Sequence, residues 1–107
     1  MQIQISGQHF HVTDAIERHL QEKLARLTKH FDHVVNIHVV LKVQKNRHIA
    51  EATIHVRHHD FFAEAHSEDM YATIDTLAHK LDRQIVKHKE KLRDHHNHEG
   101  AHHPSGR

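Results

Sequence analysis

Two rhythms of apolar and polar residues alternate along this chain. In residues 2–6, Ile3 and Ile5 fall on one side and Gln2, Gln4 and Ser6 on the other, which predicts a short half-buried strand ended by Gly7. The period then lengthens. Ile16, Leu20, Leu24, Leu27 and Phe31 recur at helical spacing and form one stripe. Thr13 or Asp14 supplies the cap; only Asp14, with Glu17 three residues on, makes a pairing that resembles a capping box. Residues 34–45 return to strand alternation, with Val35, Ile37, Val39, Leu41 and Val43 on one face and Asn36, His38, Lys42 and Gln44 on the other.

Residues 45–48 read as a hairpin turn. Ala50, Ala52, Ile54 and Val56 then alternate with Glu51, Thr53, His55 and Arg57. A turn at 58–60 leads to a last strand over 61–66. Ser67, Glu68 and Asp69 open a second helix over 69–93, whose stripe is Met70, Ile74, Leu77, Leu81, Ile85 and Leu92. The order is β-α-β-β-β-α. Each strand has one apolar face, as in a sheet covered on one side. The architecture that uses every stripe once is an α+β two-layer sandwich, a four-stranded sheet with two helices on one face. Leu20, Leu24, Leu41, Ile54, Ile74 and Leu81 are the expected core.

At 107 residues the chain has room for one domain, expected over 1–94. Residues 95–107 hold five His, two Gly and the only Pro without apolar periodicity, and read as a disordered tail. No apolar run is long enough for a membrane span, and the start lacks the pattern of a secretory signal. The absence of Cys excludes disulfides, thiolate catalysis and Cys-based zinc sites, and fits a cytoplasmic address.

Net charge is only +1, but the charge is local. Between Lys80 and Arg93 stand six basic residues and two acidic ones, while acids outnumber bases elsewhere. On a helical wheel Lys80, Arg83, Lys87 and Lys91 share one flank of the second apolar stripe, with Asp75 and Asp82 on the other. His19, Lys23, Arg26 and His30 flank the first stripe on the same rotational side. Two such flanks are expected to form one positive groove for phosphate, with Asp75 and Asp82 turned away from it. The second helix, about 37 Å long at 1.5 Å per residue, should project beyond the domain. The 18 His make the charge depend on pH, and protonation of His19, His30 and His88 is expected to tighten RNA binding at lower pH.

Other chemistry is weaker. The tail histidines His95, His96, His98, His102 and His103 lack the fixed geometry of a native metal site, so no metal or cofactor is expected. Glu51, Asp75 and Asp82 make no carboxylate cluster, and no nucleophile motif or phosphate loop is present, so an enzyme is not expected. Tyr71 reads as core-edge packing before base stacking, and His38, His55 and Arg57 as a solvated sheet face.

The segment from Ala65 to Asp75, continuing through Lys80-Leu81, Arg83-Gln84, Lys87-His88-Lys89 and Lys91, closely resembles the ribosome hibernation-promoting factors. Ile5-Ser6-Gly7, Thr13-Asp14-Ala15-Ile16, Phe31-Asp32 and Val39-Val40-Leu41-Lys42-Val43 agree with it, so the resemblance covers residues 1 to about 93. It implies a fold like the double-stranded-RNA-binding domain. It also implies a factor seated on the small ribosomal subunit at the mRNA and tRNA decoding sites, inhibiting translation under stress or in stationary phase. Lys23, Arg26, Lys80, Arg83, Lys87, Lys89 and Lys91 match basic positions expected to face ribosomal RNA. The short form of the family helps inactive ribosomes dimerise, together with a ribosome modulation factor on the ribosome. The sequence shows neither the dimerisation domain of the long form nor the acidic extension of the ribosome-associated inhibitor, protein Y. The expected state off the ribosome is a monomer. The alternatives are a protein Y-like inhibitor of single ribosomes and a generic double-stranded-RNA-binding module.

Overall fold

The computed structural model describes the backbone of residues 2–29 and 34–98 and side chains as far as Lys91. Strand β1 (Gln2–Gln8) leads through helix α1 (Asp14–Thr28) to strands β2 (Val34–Gln44), β3 (Arg47–Val56) and β4 (His59–Ser67), and α2 (Met70–His98) follows. This is the order that the periodicity predicts. The four strands form one sheet in the order β1-β2-β3-β4. β1 runs parallel to β2, and the other neighbours are antiparallel. A parallel pair needs a long crossover, and α1 lies within it.

The stripes of both helices meet the same face of the sheet. Leu20 and Leu24 of α1 and Ile74, Leu77, Leu81 and Ile85 of α2 join Ile37, Val39, Leu41, Ala52, Ile54 and Phe61 in one buried cluster. All six expected core residues are buried. The small residues Ala50, Ala52, Ala63 and Ala65 on the inner face of β3 and β4 let α2 lie close to the sheet. Phe31 and His30 lie outside the described residues, and the side chain of Leu92 outside the described side chains.

Three local features differ from the sequence pattern. Val35 does not share the face of Ile37: it is 58% exposed, and Val34 packs on the core instead. The pairing shifts between Val34↔Val56 and Asn36↔His55, so β2 carries an extra residue there. Such a bulge reverses the facing of every residue before it. Both turns are tighter than expected, with β3 resuming at Arg47 and β4 at His59. Helix α2 continues through His98, past its expected end at Arg93. No Gly or Pro stands between Met70 and His98 to stop it. His95, His96 and His98 therefore begin in helix rather than tail, and residues 99–107 lie outside the described residues.

The helix starts are decided by side-chain oxygens. Of the two possible caps for α1, Thr13 takes the role: its hydroxyl accepts from the Ile16 N–H at 3.2 Å. At α2 the Asp69 carboxylate accepts from the Ala72 N–H at 2.9 Å. Thr73, which is completely buried, holds this end to the sheet. Its hydroxyl lies 2.8 Å from the Asp69 carbonyl, 3.2 Å from the His48 carbonyl of β3 and 2.6 Å from the Ser67 hydroxyl of β4.

Gly7 is required by close approach. A Cβ there would stand 2.2 Å from the Phe10 carbonyl oxygen, a backbone atom that cannot turn aside. Gly7→Ala is expected to cost about 1–3 kcal/mol, as overpacking does. The measurement is the urea midpoint, which should fall without change in the slope.

Candidate nucleic-acid interface

The basic residues of the two helices do not line a single groove. α1 presents His19, Lys23 and Arg26 towards α2, where they meet its acidic flank. The His19 Nε2–H donates to Asp75 Oδ1 at 2.7 Å, and Lys23 Nζ lies 3.5 Å from the same oxygen. Arg26 and Lys23 line a shallow cleft of about 370 Å³ with Asp75, His79 and Asp82. The expectation that Asp75 and Asp82 face away from the basic groove is therefore overturned. The cause is helix direction. β1, β2 and β4 share one direction, and each helix follows one of these strands and returns over the sheet, so α1 and α2 run roughly parallel. On parallel helices, flanks on the same rotational side point the same way, and only one of them can face the space between.

Asp75 is held as the anion. Burial pushes its carboxyl up, but the His19 hydrogen bond and the Lys23 charge together outweigh this and keep it below its ordinary 3.8. The ring of Tyr71 stands edge-on to His19, with centroids 5.1 Å apart, and remains 41% exposed. His19 is thus occupied within the helix pair rather than free to meet phosphate.

The basic flank of α2 faces outward, along the β4 edge. Lys80 Nζ donates to the Glu64 carbonyl at 2.8 Å, and Gln84 Nε2 donates to the Phe62 carbonyl at 2.6 Å. Both carbonyls belong to the open edge of β4, the outer strand of the sheet. Side-chain donors at these positions blunt an edge that would otherwise accept a further strand. Lys80, a predicted phosphate contact, thus has a structural partner; Gln84, its neighbour in this role, had no signal in the sequence beyond its place one turn later. Arg83 and Lys87 are exposed. Lys87 and Lys91 line a depression of about 490 Å³ with His88 and Glu90. Lys89, also exposed, projects from the flank that carries Asp75 and Asp82, further along the helix.

The expected cationic surface is therefore split. One part, Lys23 and Arg26, sits in a cleft of mixed sign. The other, Arg83, Lys87 and Lys91, is an outward-facing stripe that α2 carries past the end of its buried stripe at Ile85. The 29-residue helix is about 43 Å long at 1.5 Å per residue, in a molecule whose longest extent is 52 Å. His88 departs from the sequence reading as well. Burial, followed by the charges of His59 and Lys91, pulls its pKa below 6.5, so it resists the protonation that was expected to strengthen RNA binding.

On the other face of the sheet, His55 Nδ1 lies 2.8 Å from Asp60 Oδ1, and Lys42 pairs with Glu51 at 3.1 Å. Phe62 is 55% exposed on this face. Among the described residues no group of three or more His, Asp or Glu could hold a metal ion. No described helix is long and apolar enough to cross a membrane.

The pH response of the helix pair follows from Asp75. A carboxyl with a depressed folded pKa stabilises fully above its ordinary value, and the gain is lost as pH falls through the folded one. Asp75→Asn is expected to lower stability at pH 7 by about 1 kcal/mol or less, since the pair is solvent-screened. Melting curves taken down to about pH 2 should show wild type and variant converging. A gap that persisted there would assign the effect to packing instead of charge.

Residues 3–93 match the family model described as Sigma 54 modulation protein / S30EA ribosomal protein. A protein of Azotobacter vinelandii named ribosome hibernation promoting factor is 50% identical over 91 residues, 85% of each chain. The protein of that name from Escherichia coli (strain K12) is 43% identical over 95 residues, 89% of this chain and all of the relative. Among solved structures, a ribosomal subunit interface protein from Coxiella burnetii superposes with a TM-score of 0.80 at 34% identity, covering 84% of this chain and 99% of the other. The Protein Y N-terminal domain of Thermus thermophilus does so with a TM-score of 0.76 at 30% identity, covering 81% and 98%. With a family match across nearly all of the folded domain and relatives of this identity over most of their length, the chain belongs to the Sigma 54 modulation protein / S30EA ribosomal protein family.

Proposed function

We propose that this protein is a ribosome hibernation factor: it binds the small subunit through ribosomal RNA and holds the ribosome inactive. The observation that carries the reading is the outward stripe Arg83, Lys87 and Lys91 on a helix that outruns its own core, in a chain half identical to a ribosome hibernation promoting factor. Each cation that neutralises a phosphate releases condensed counterions, which gives affinity independent of base sequence. Arg83 adds a planar fork that matches phosphate oxygens. Folded RNA is read chiefly by shape and backbone, so charges on a rigid helix suffice. Lys23, Arg26 and Lys89 offer a second line of contact on the α1 side of α2, and Lys80 one at the β4 edge.

In this reading the protein acts in the cytoplasm as a monomer that occupies the mRNA and tRNA decoding sites, and its work is exclusion without chemistry. The similarity to hibernation promoting factors over 85% and 89% of the chain supports a role in ribosome dimers together with a modulation factor. The alternatives are inactivation of single ribosomes and generic duplex-RNA binding.

Added in excess, the protein should inhibit cell-free translation, and ribosomes pre-loaded with mRNA and initiator tRNA should resist it. Replacing Arg83, Lys87 and Lys91 together by Ala should weaken binding to small subunits and reduce the log–log salt slope by about 2–3. Those three are preferable to Lys80, whose removal also uncovers the β4 edge. Relief of inhibition by added double-stranded RNA, with no competition from tRNA, would establish the duplex-RNA module in its place. A dimer peak in a sucrose gradient, dependent on the modulation factor, separates the two modes of inactivation.

A further inference from the structure

His88 occupies a position that the helix would ordinarily give to Leu. It falls three residues after Ile85, in line with Met70, Ile74, Leu77 and Leu81 on the buried stripe of α2. Its ring stacks on that of His59, the first residue of β4, with centroids 4.4 Å apart and planes 21° from parallel. The buried ring of Phe61 stands edge-on to both, 4.6 Å from His59 and 5.3 Å from His88. The three residues after His88 on α2 are all exposed. The stack joins the helix to the sheet beyond Ile85, one turn from Lys91 and next to Lys87.

We propose that His59 and His88 form an aromatic clasp that sets the direction in which α2 leaves the sheet, which makes them positioning residues for Lys87 and Lys91, and that protonation of His88 opens it. The functional half of this rests on the ribosome-binding reading above; the clasp itself does not.

The charges around the stack oppose a proton. His59 of β4 and Lys91 act on His88 directly, Lys87 and the acidic Glu90 share its depression, Glu90 on the far side of the helix, and Arg57 and His58 occupy the turn that leads into His59. Burial disfavours the imidazolium, and the charges of His59 and Lys91 add to this. A neutral His88 ring stacks well on its neighbour, whereas its imidazolium would bring a charge into a place where burial and the nearby cations disfavour it. A histidine whose pKa is lowered by folding leaves the clasp intact above its ordinary 6.5, and the clasp weakens as pH falls from there towards the folded value. The consequence runs against simple charge titration. Acid adds positive charge to other histidines of the chain while it loosens the segment that aims two of the phosphate-binding lysines.

The test pairs His88→Phe, which keeps a stacking ring and removes titration, with His88→Ala and His59→Ala, which remove the stack. Amide exchange of residues 86–91, corrected for intrinsic rates, reads local opening without any ribosome. Wild-type protection is expected to fall about fivefold from pH 7.5 to 5.5, to stay level in His88→Phe, and to be low at both pH values in the two Ala variants. Affinity for small subunits, taken as the ratio of His88→Phe to wild type so that other histidines cancel, should rise from about 1 to about 5 over the same range. Equal pH courses for wild type and His88→Phe, or full protection in the Ala variants, would overturn the clasp. Loss of ribosome binding at every pH with the exchange pattern intact would sink the ribosome reading and leave the clasp standing.

Discussion

Both helices must bury their stripes on one face of a single sheet, and they must do so running the same way. The direction comes from strand polarity, since β1, β2 and β4 point alike and each helix returns over the sheet from one of them. Once the apolar stripes are turned inward, no freedom remains in the flanks. His19 and Lys23 must look at Asp75, and Lys80 must look at the β4 edge. The polar organisation of the surface is thus a consequence of core packing and topology, with each cation assigned its neighbours by the backbone beneath it.

That assignment divides the cations by task. Lys23 is drawn into an ion pair that ties α1 to α2, and Lys80 spends a donor on an edge carbonyl. Both remain on the surface, where an ion pair or a single hydrogen bond is worth little and can be exchanged for a phosphate. Arg83, Lys87 and Lys91 sit where the helix flank faces solvent, and it is here that a polyanion meets least competition. Thr73 and the Asp69 cap hold the opposite end of α2 by hydrogen bonds within the fold, so the helix is anchored firmly at its start and by an aromatic stack near its exit.

The open face of the sheet contrasts with the helical layer. Across its strands Lys42 pairs with Glu51, and His55 Nδ1 lies 2.8 Å from Asp60 Oδ1. Lys80 and Gln84 cover two outward carbonyls of β4, which blunts that edge against strand addition.

The sequence by itself determined the elements, their order and the core. Periodicities of 2 and 3.6 are properties of the backbone, so Leu20, Leu24, Leu41, Ile54, Ile74 and Leu81 were recognisable as buried from spacing alone. It also determined which flank of each helix is basic, because the wheel depends only on residue number. What it could not carry was the identity of the neighbour on that flank. Whether Lys23 faces Lys87 or Asp75 depends on the relative direction of two helices 50 residues apart in sequence, which the pairing of β1 with β2 decides. The bulge that turns Val35 outward depends on the register of β3 against β2, and alternation within one strand does not record its partner. His88 looked like one more solvated histidine beside lysines. Only the arrival of His59 and Phe61 from β4, nearly 30 residues away, made it a half-buried stacking partner whose charge is disfavoured.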